Sequence, residues 1–183
     1  MLFRAFPPLP GAAPTEPGGA LHVPRAHQGR GRHDDPDTYG ALYLSRDPAA
    51  SIAEILIAFR TQPLVARHLM AEGFPYRLAS IEDSAVDDLV DLDDPGTLVE
   101  RALRPSGVAT RVRRVTQRVA RSLYEEGAAG FEWWSAIEAS WINVTLFEDR
   151  VEGRLSVVGA PERLTLDHPA VREAAEAVGV MLG

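Results

Sequence analysis

Residues 29–54 constrain the fold more than any other stretch of the chain. A glycine-arginine loop, Gly29-Arg30-Gly31-Arg32-His33, comes first. The apolar run Ala41 to Leu44 follows and reads as a buried strand. Asp47-Pro48 then opens a helix, because Asp suits an N-cap and Pro the first helical position. Ile52, Ile55, Leu56 and Phe59 recur at i, i+3, i+4 and i+7 and form one core-facing stripe. The other side, with Ala50, Ile57 and Ala58, is also apolar or small. A helix apolar all round is buried as a rule, and a buried carboxylate needs a partner. Glu54, the only charged residue between Asp47 and Arg60, is therefore either the one solvent-facing position or a carboxylate aimed into a pocket.

At 183 residues the chain fits a single domain, 1–183, with a core large enough to fold alone. Its net charge of −7 and pI near 5.2 argue against a sequence-independent nucleic-acid binder, which needs a basic surface. A nuclease is disfavoured on the same ground. Without cysteine there are neither disulfides nor thiolate metal sites. No apolar signal-like segment or membrane-length run is present, so a soluble cytoplasmic protein is expected.

Leu2 to Phe6 reads as a strand, and residues 7–38 as a long Pro-, Gly-, His- and Arg-rich loop lying over a substrate. Arg25, Arg30 and Arg32 could each serve a phosphate or simply be solvated. His22, His27 and His33 match no compact metal-ligand spacing. Leu64 to Glu72 reads as a short helix or irregular crossover, and Tyr76 to Ile81 as a strand. The acidic run Glu82 to Asp94 contains Asp91 and Asp93 at a spacing that can hold a hard cation, but it reads better as a solvated face. A short helix spans Pro95 to Leu103. Thr110 is expected to cap a helix over Arg111 to Glu126, with Val112, Val115, Val119 and Leu123 buried. Its five arginines either pair with the acidic run or meet an acidic partner. Strands are expected at Gly130–Ser135, Trp141–Phe147 and Gly153–Val158, the last two joined by a hairpin turn, with a final helix capped by Asp167 and running to about Leu182.

An ordered set of residues resembles the RES domain, named for its Arg, Glu and Ser residues. Arg4 lies on the first strand; Gly31-Arg32 is similar to the Gly-Arg loop; Tyr43 and Glu54 stand in the strand-then-helix relation; Ser135 arrives late, ahead of Asn143-Val144-Thr145-Leu146-Phe147. The family more often has Gly-Gly-Arg-Trp where this chain has Arg30-Gly31-Arg32-His33. The resemblance implies an α+β domain like the ADP-ribosyltransferase fold, with central mixed or antiparallel sheets flanked by helices. It also implies degradation of NAD by a toxin paired with an Xre-type antitoxin.

Under that resemblance, cleavage of the nicotinamide–ribose bond passes through an oxocarbenium-like species. Glu54 would stabilise the cation and hold a ribose hydroxyl. Tyr43 would offer a ring and a hydroxyl, and Ser135 would hold the ribose or the amide. Arg4 and Arg32 would neutralise the diphosphate. No metal or bound cofactor is called for; NAD is the substrate and phosphate a candidate co-substrate. Water, phosphate or a protein side chain can each be the acceptor, the last giving an ADP-ribosyltransferase. The altered loop motivates an alternative of another class, a non-catalytic binding module on the same fold.

Overall fold

The chain folds around one mixed sheet whose two faces are used differently. The computed structural model describes all residues, Met1–Gly183. In chain order it contains β1 (Leu2–Phe6), β2 (Ala41–Ser45), α1 (Pro48–Leu56), a small hairpin of β3 (Met70–Ala71) and β4 (Phe74–Pro75), then β5 (Arg77–Glu82) and β6 (Leu89–Asp91). There follow α2 (Pro95–Glu100), α3 (Pro105–Val108), α4 (Arg113–Glu125), β7 (Gly130–Trp134), β8 (Ile142–Phe147), α5 (Glu148–Val151), β9 (Ser156–Arg163) and α6 (Pro169–Val178). Seven strands form the sheet in the order β6-β7-β8-β2-β1-β5-β9. Only β6 and β7 run parallel. The α+β class and the mixed sheet are as expected from the sequence. No helix is long and apolar enough to cross a membrane.

The helix after β2 forms where Asp47 and Pro48 place it. The Asp47 carboxylate accepts from the backbone N–H of Ala49 at 2.7 Å and caps the free donors of the first turn. Ala49, Ile52, Ala53 and Leu56 are buried against α6, and together they form the largest core cluster. That cluster fills one side of the sheet over β1, where Phe3 and Ala5 meet α1. This side is the front. Directly opposed residues on antiparallel strands share a face, so Ser45, which opposes Phe3, is also on the front.

The back face is apolar. Leu2, Phe6, Leu42, Leu44, Ala79, Ile81, Val144 and Leu146 pack there, covered by Ala20 and Val23 from the long loop. Residues 7–38 therefore do not form one covering over a site. Their first part closes the back of the sheet, and Gly29–Asp35 cross to the front. Gln28 marks the crossing: its side chain accepts from Ala41 N–H and donates to Ala41 C=O, prolonging the β2 edge. Arg25 is spent on the Pro36 carbonyl at 2.6 Å.

Other expectations shift. The buried side of α4 is Thr116, Ala120 and Leu123, while Val112 is half exposed at 51% and stands at the N-cap. Thr110 assists that cap by accepting the Val112 N–H. The arginines of α4 do not pair with the acidic run. Asp83 is bound by Arg46, and Asp87 and Asp88 by Arg154, while Asp91 and Asp94 accept backbone N–H groups at their own turns. The expected hairpin turn after β8 is the helical turn α5, and β9 starts later, as an edge strand that tolerates Gly159 and Pro161. His168, not Asp167, caps α6, which ends at Gly179 with φ 76°.

Candidate active site

Two cross-strand rows form the front floor beside α1. Ser45, Asn143 and Trp133 oppose one another across β2, β8 and β7; Tyr43, Thr145 and Phe131 form the next row. β8 alternates polar Asn143 and Thr145 with apolar Ile142, Val144 and Leu146. That period of two sends Asn143 and Thr145 to the front and Val144 and Leu146 into the back core.

The glycine-arginine loop docks on the second row. The Asp34 carboxylate accepts from Gly29 N–H at 2.8 Å, Gly31 N–H at 2.6 Å and the Tyr43 hydroxyl at 2.6 Å. A Cβ on Gly31 would fall 2.4 Å from Asp34 Oδ1, so glycine is required for this approach. From the other side, Gln117 of α4 donates to the Gly31 carbonyl at 3.0 Å and Thr116 donates to the Arg32 carbonyl. His33 enters the sheet face and is 2% exposed. Its ring meets Phe131 and Trp133 edge-on, with centroids 4.8 and 5.0 Å away. Its Nδ1 lies 2.9 Å from the Thr145 hydroxyl, which also accepts from Trp133 Nε1. Burial, helped by the nearby Arg32 charge, holds its pKa well below 6.5, so the imidazole is neutral.

Arg32 stands above this floor. Its Nη1 donates to the carbonyls of Thr110 at 2.8 Å and Val108 at 3.3 Å, and its guanidinium lies 5.0 Å from the Trp133 ring centroid. Nε and Nη2 have no protein partner. Desolvation lowers its pKa; Glu54 and Tyr43 pull it up, and Arg113 and Arg111 push it down. Glu54 reaches solvent from α1, yet the surrounding protein desolvates its carboxyl enough to raise the pKa, against the opposing pull of Arg32. The two charges thus sense one another across the front, above a floor of Asn143, Ser45 and Trp133.

Ser135 follows Trp133 on the same face and is 4% exposed. Its Oγ accepts the Ile137 N–H at 3.1 Å, which leaves its own proton for an acceptor outside the fold. Tyr43 is on the front but its hydroxyl is taken. It donates to Asp34 and accepts from His33 N–H at 2.9 Å, and burial with the Asp34 bond raises its pKa. The role expected for that hydroxyl in catalysis is corrected: Tyr43 anchors the loop.

Arg4 is corrected more fully. It opposes Ala79 on β5, so it points to the back of the sheet. There it donates to the carbonyls of Ala20 at 2.7 Å and His22 at 2.9 Å, and burial pushes its pKa down to about 10. It braces the back loop and does not reach the front. The exposed arginines whose charges act on Arg32 are instead Arg111 and Arg113, at the start of α4.

Two concavities lie elsewhere. One of about 530 Å³ separates the Pro8–Pro14 loop from β9, and one of about 230 Å³ lies between α2 and α4 over the Arg101–Glu126 ion pair. Neither brings together free charged groups of opposite sign, so the front floor is the better candidate. No three His, Asp or Glu side chains converge as metal ligands.

No curated protein matches the chain. Among solved structures, a chain of the M. tuberculosis MbcT–MbcA toxin–antitoxin complex is similar in fold, with a TM-score of 0.66 and 19% identity, covering 98% of this chain and 88% of that one. A family model described as the RES domain matches residues 2–167, which takes in the glycine-arginine loop, Glu54 and Ser135, and the chain belongs to the RES-domain family.

Proposed function

We propose that this protein degrades NAD by breaking the bond between nicotinamide and ribose, and that it is the toxin of a toxin–antitoxin pair. The observation that carries the reading is that Glu54 on α1 and Arg32, whose Nε and Nη2 are unpaired, sense one another's charge on the face that carries Asn143, Trp133 and Ser135. Membership of the RES-domain family supports it, and the similarity to a chain of a toxin–antitoxin complex supports an antitoxin partner, for which an Xre-type protein is the candidate.

In the reaction the C1′–N bond of the nicotinamide riboside breaks, and its electron pair leaves with neutral nicotinamide. Positive charge develops on the ribose C1′ and ring oxygen. The Glu54 carboxylate stabilises that charge and accepts from a ribose hydroxyl. A preorganised charge aimed at the developing cation acts in the transition state. The raised pKa of Glu54 also suits it to take a proton when water is the nucleophile. Arg32 offers Nε and Nη2 to the diphosphate, and Arg111 and Arg113 supply further positive charge. Ser135 donates its free proton to the ribose or the leaving group. His33 takes the place of the more usual Trp as a ring under the loop, and Gly31 still allows the close turn. Both points favour a working pocket over a degenerate binding module.

Incubating the purified protein with NAD, with and without phosphate, and separating the products tests this reading. Nicotinamide with ADP-ribose indicates water as acceptor. Nicotinamide with a phosphorylated ADP-ribose indicates phosphate, and label retained on protein indicates a transferase. No nicotinamide at high protein concentration, together with no shift of melting temperature by NAD, would establish the binding module instead.

A further inference from the structure

Asn143 carries a feature that folding does not explain. It is 3% exposed, and its Oδ1 accepts from Ser45 Oγ at 2.9 Å. Its Nδ2 is the one buried side-chain polar atom without a partner. Buried polar groups are paired as a rule, and an unpaired one weakens the fold. An apolar residue of the same volume would avoid that cost.

The place of the atom gives it a use. Asn143 is the middle residue of the row between Ser45 and Trp133. Ser135 lies diagonally beside it, one step beyond Trp133. The glycine-arginine loop covers the neighbouring row through His33, and α1 covers the sheet on the β1 side. The Asn143 row therefore lies buried between the loop and α1, on the face that carries Arg32 and Glu54. Trp133, buried under the Arg32 guanidinium, is the aromatic neighbour in the same row, and the free amide donor belongs to the residue opposite it. An aromatic ring with a carbonyl substituent suits that pair: the ring packs beside the indole and the carbonyl oxygen accepts from Nδ2.

We propose that Asn143 is the specificity residue for the leaving group, its Nδ2 donating to the carboxamide oxygen of nicotinamide. The inference rests on the NAD reading above and adds to it the group by which the pyridine end is recognised. No bond is made or broken at Asn143. It orients the ring, and its donation to the carbonyl draws electron density from the pyridine as the C1′–N bond opens. The Ser45 hydroxyl fixes the amide by donating to Oδ1.

The test uses the Ser45→Ala/Asn143→Leu double variant, which removes both members of the pair and leaves no new orphan. Steady-state turnover of NAD is measured beside melting temperatures with NAD, nicotinamide and unsubstituted pyridine as separate ligands. The expected result is a melting temperature no lower than that of the wild type and a KM for NAD raised about tenfold, matching the loss of one hydrogen bond from a buried site. Nicotinamide stabilises the wild type and not the variant, and pyridine gives the two the same small effect. A variant with lower melting temperature but unchanged KM and unchanged response to nicotinamide would overturn the proposal, making Asn143 a structural residue, while the NAD reading stands. A wild type that neither turns over NAD nor responds to NAD or nicotinamide would overturn both.

Discussion

The two faces of one sheet hold comparable arginines to opposite ends. On the back, Arg4 is surrounded by apolar side chains and its Nη1 is spent on two loop carbonyls. On the front, Arg32 likewise bonds only through Nη1, to two carbonyls, but its guanidinium stands over the Trp133 ring and senses the charge of Glu54. The back is finished as a core. The front keeps an unpaired carboxylate, a free guanidinium edge, a serine proton and an amide donor. Polar groups left incomplete at the bottom of a fold mark the face where a ligand completes them.

Breaking the front should abolish chemistry and spare the fold. Glu54→Gln is expected to lower NAD turnover by at least about a hundredfold. Its stability should respond the other way. The folded pKa of Glu54 is raised, so ionising it opposes folding; that penalty is absent below the ordinary glutamate pKa and grows as pH rises through the folded value. The Gln variant should therefore melt no lower than wild type at neutral pH, with the difference vanishing in acid. Melting curves across pH check the sign.

The loop offers the next largest effect. Asp34→Ala removes the acceptor shared by Gly29, Gly31 and Tyr43. The KM for NAD should rise about tenfold, equivalent to about 1.4 kcal/mol, as Arg32 loses its fixed position. An unchanged KM would show that α4 alone holds the loop through Thr116 and Gln117.

The back makes the opposite case. Arg4→Met should cost about 2 kcal/mol of stability through two lost charge-assisted bonds, measured by denaturant unfolding, and leave KM for NAD unchanged. The smallest effect belongs to His33. Its pKa is depressed in the folded state, so the unfolded chain takes up a proton first; stability is full above about pH 6.5 and declines as pH falls below it. His33→Phe keeps a ring in the slot and should flatten that slope.

The contrast between faces was only partly legible in the sequence. Asp47-Pro48, the apolar α1 and the β8 strand were readable because caps and periodicity are local signals. Glu54 stood out as the lone charge on an apolar helix. Arg4 could not be assigned to a face from its own strand, because alternation shows which residues share a face and not which face binds a ligand; the register against β5 and β2 decides that. Its flanks, Leu2 and Phe6, were nonetheless a hint of the core side. The buried side of α4 was misread because Thr116 is polar and is buried by a long-range bond to Arg32. Nothing in the sequence singled out Asp34, because its carboxylate organises the loop through contacts that only the fold creates, with Tyr43 above all. Asn143 and Thr145 left a readable trace, polar residues at a period of two inside an otherwise apolar strand.

The most direct test measures nicotinamide release from NAD by the wild type, Glu54→Gln and Arg4→Met side by side, each at a temperature where it is folded. The expected result is release by the wild type, loss in Glu54→Gln, and retention in Arg4→Met. Release that survives in Glu54→Gln, or disappears in folded Arg4→Met, would contradict the assignment of the chemistry to the front face.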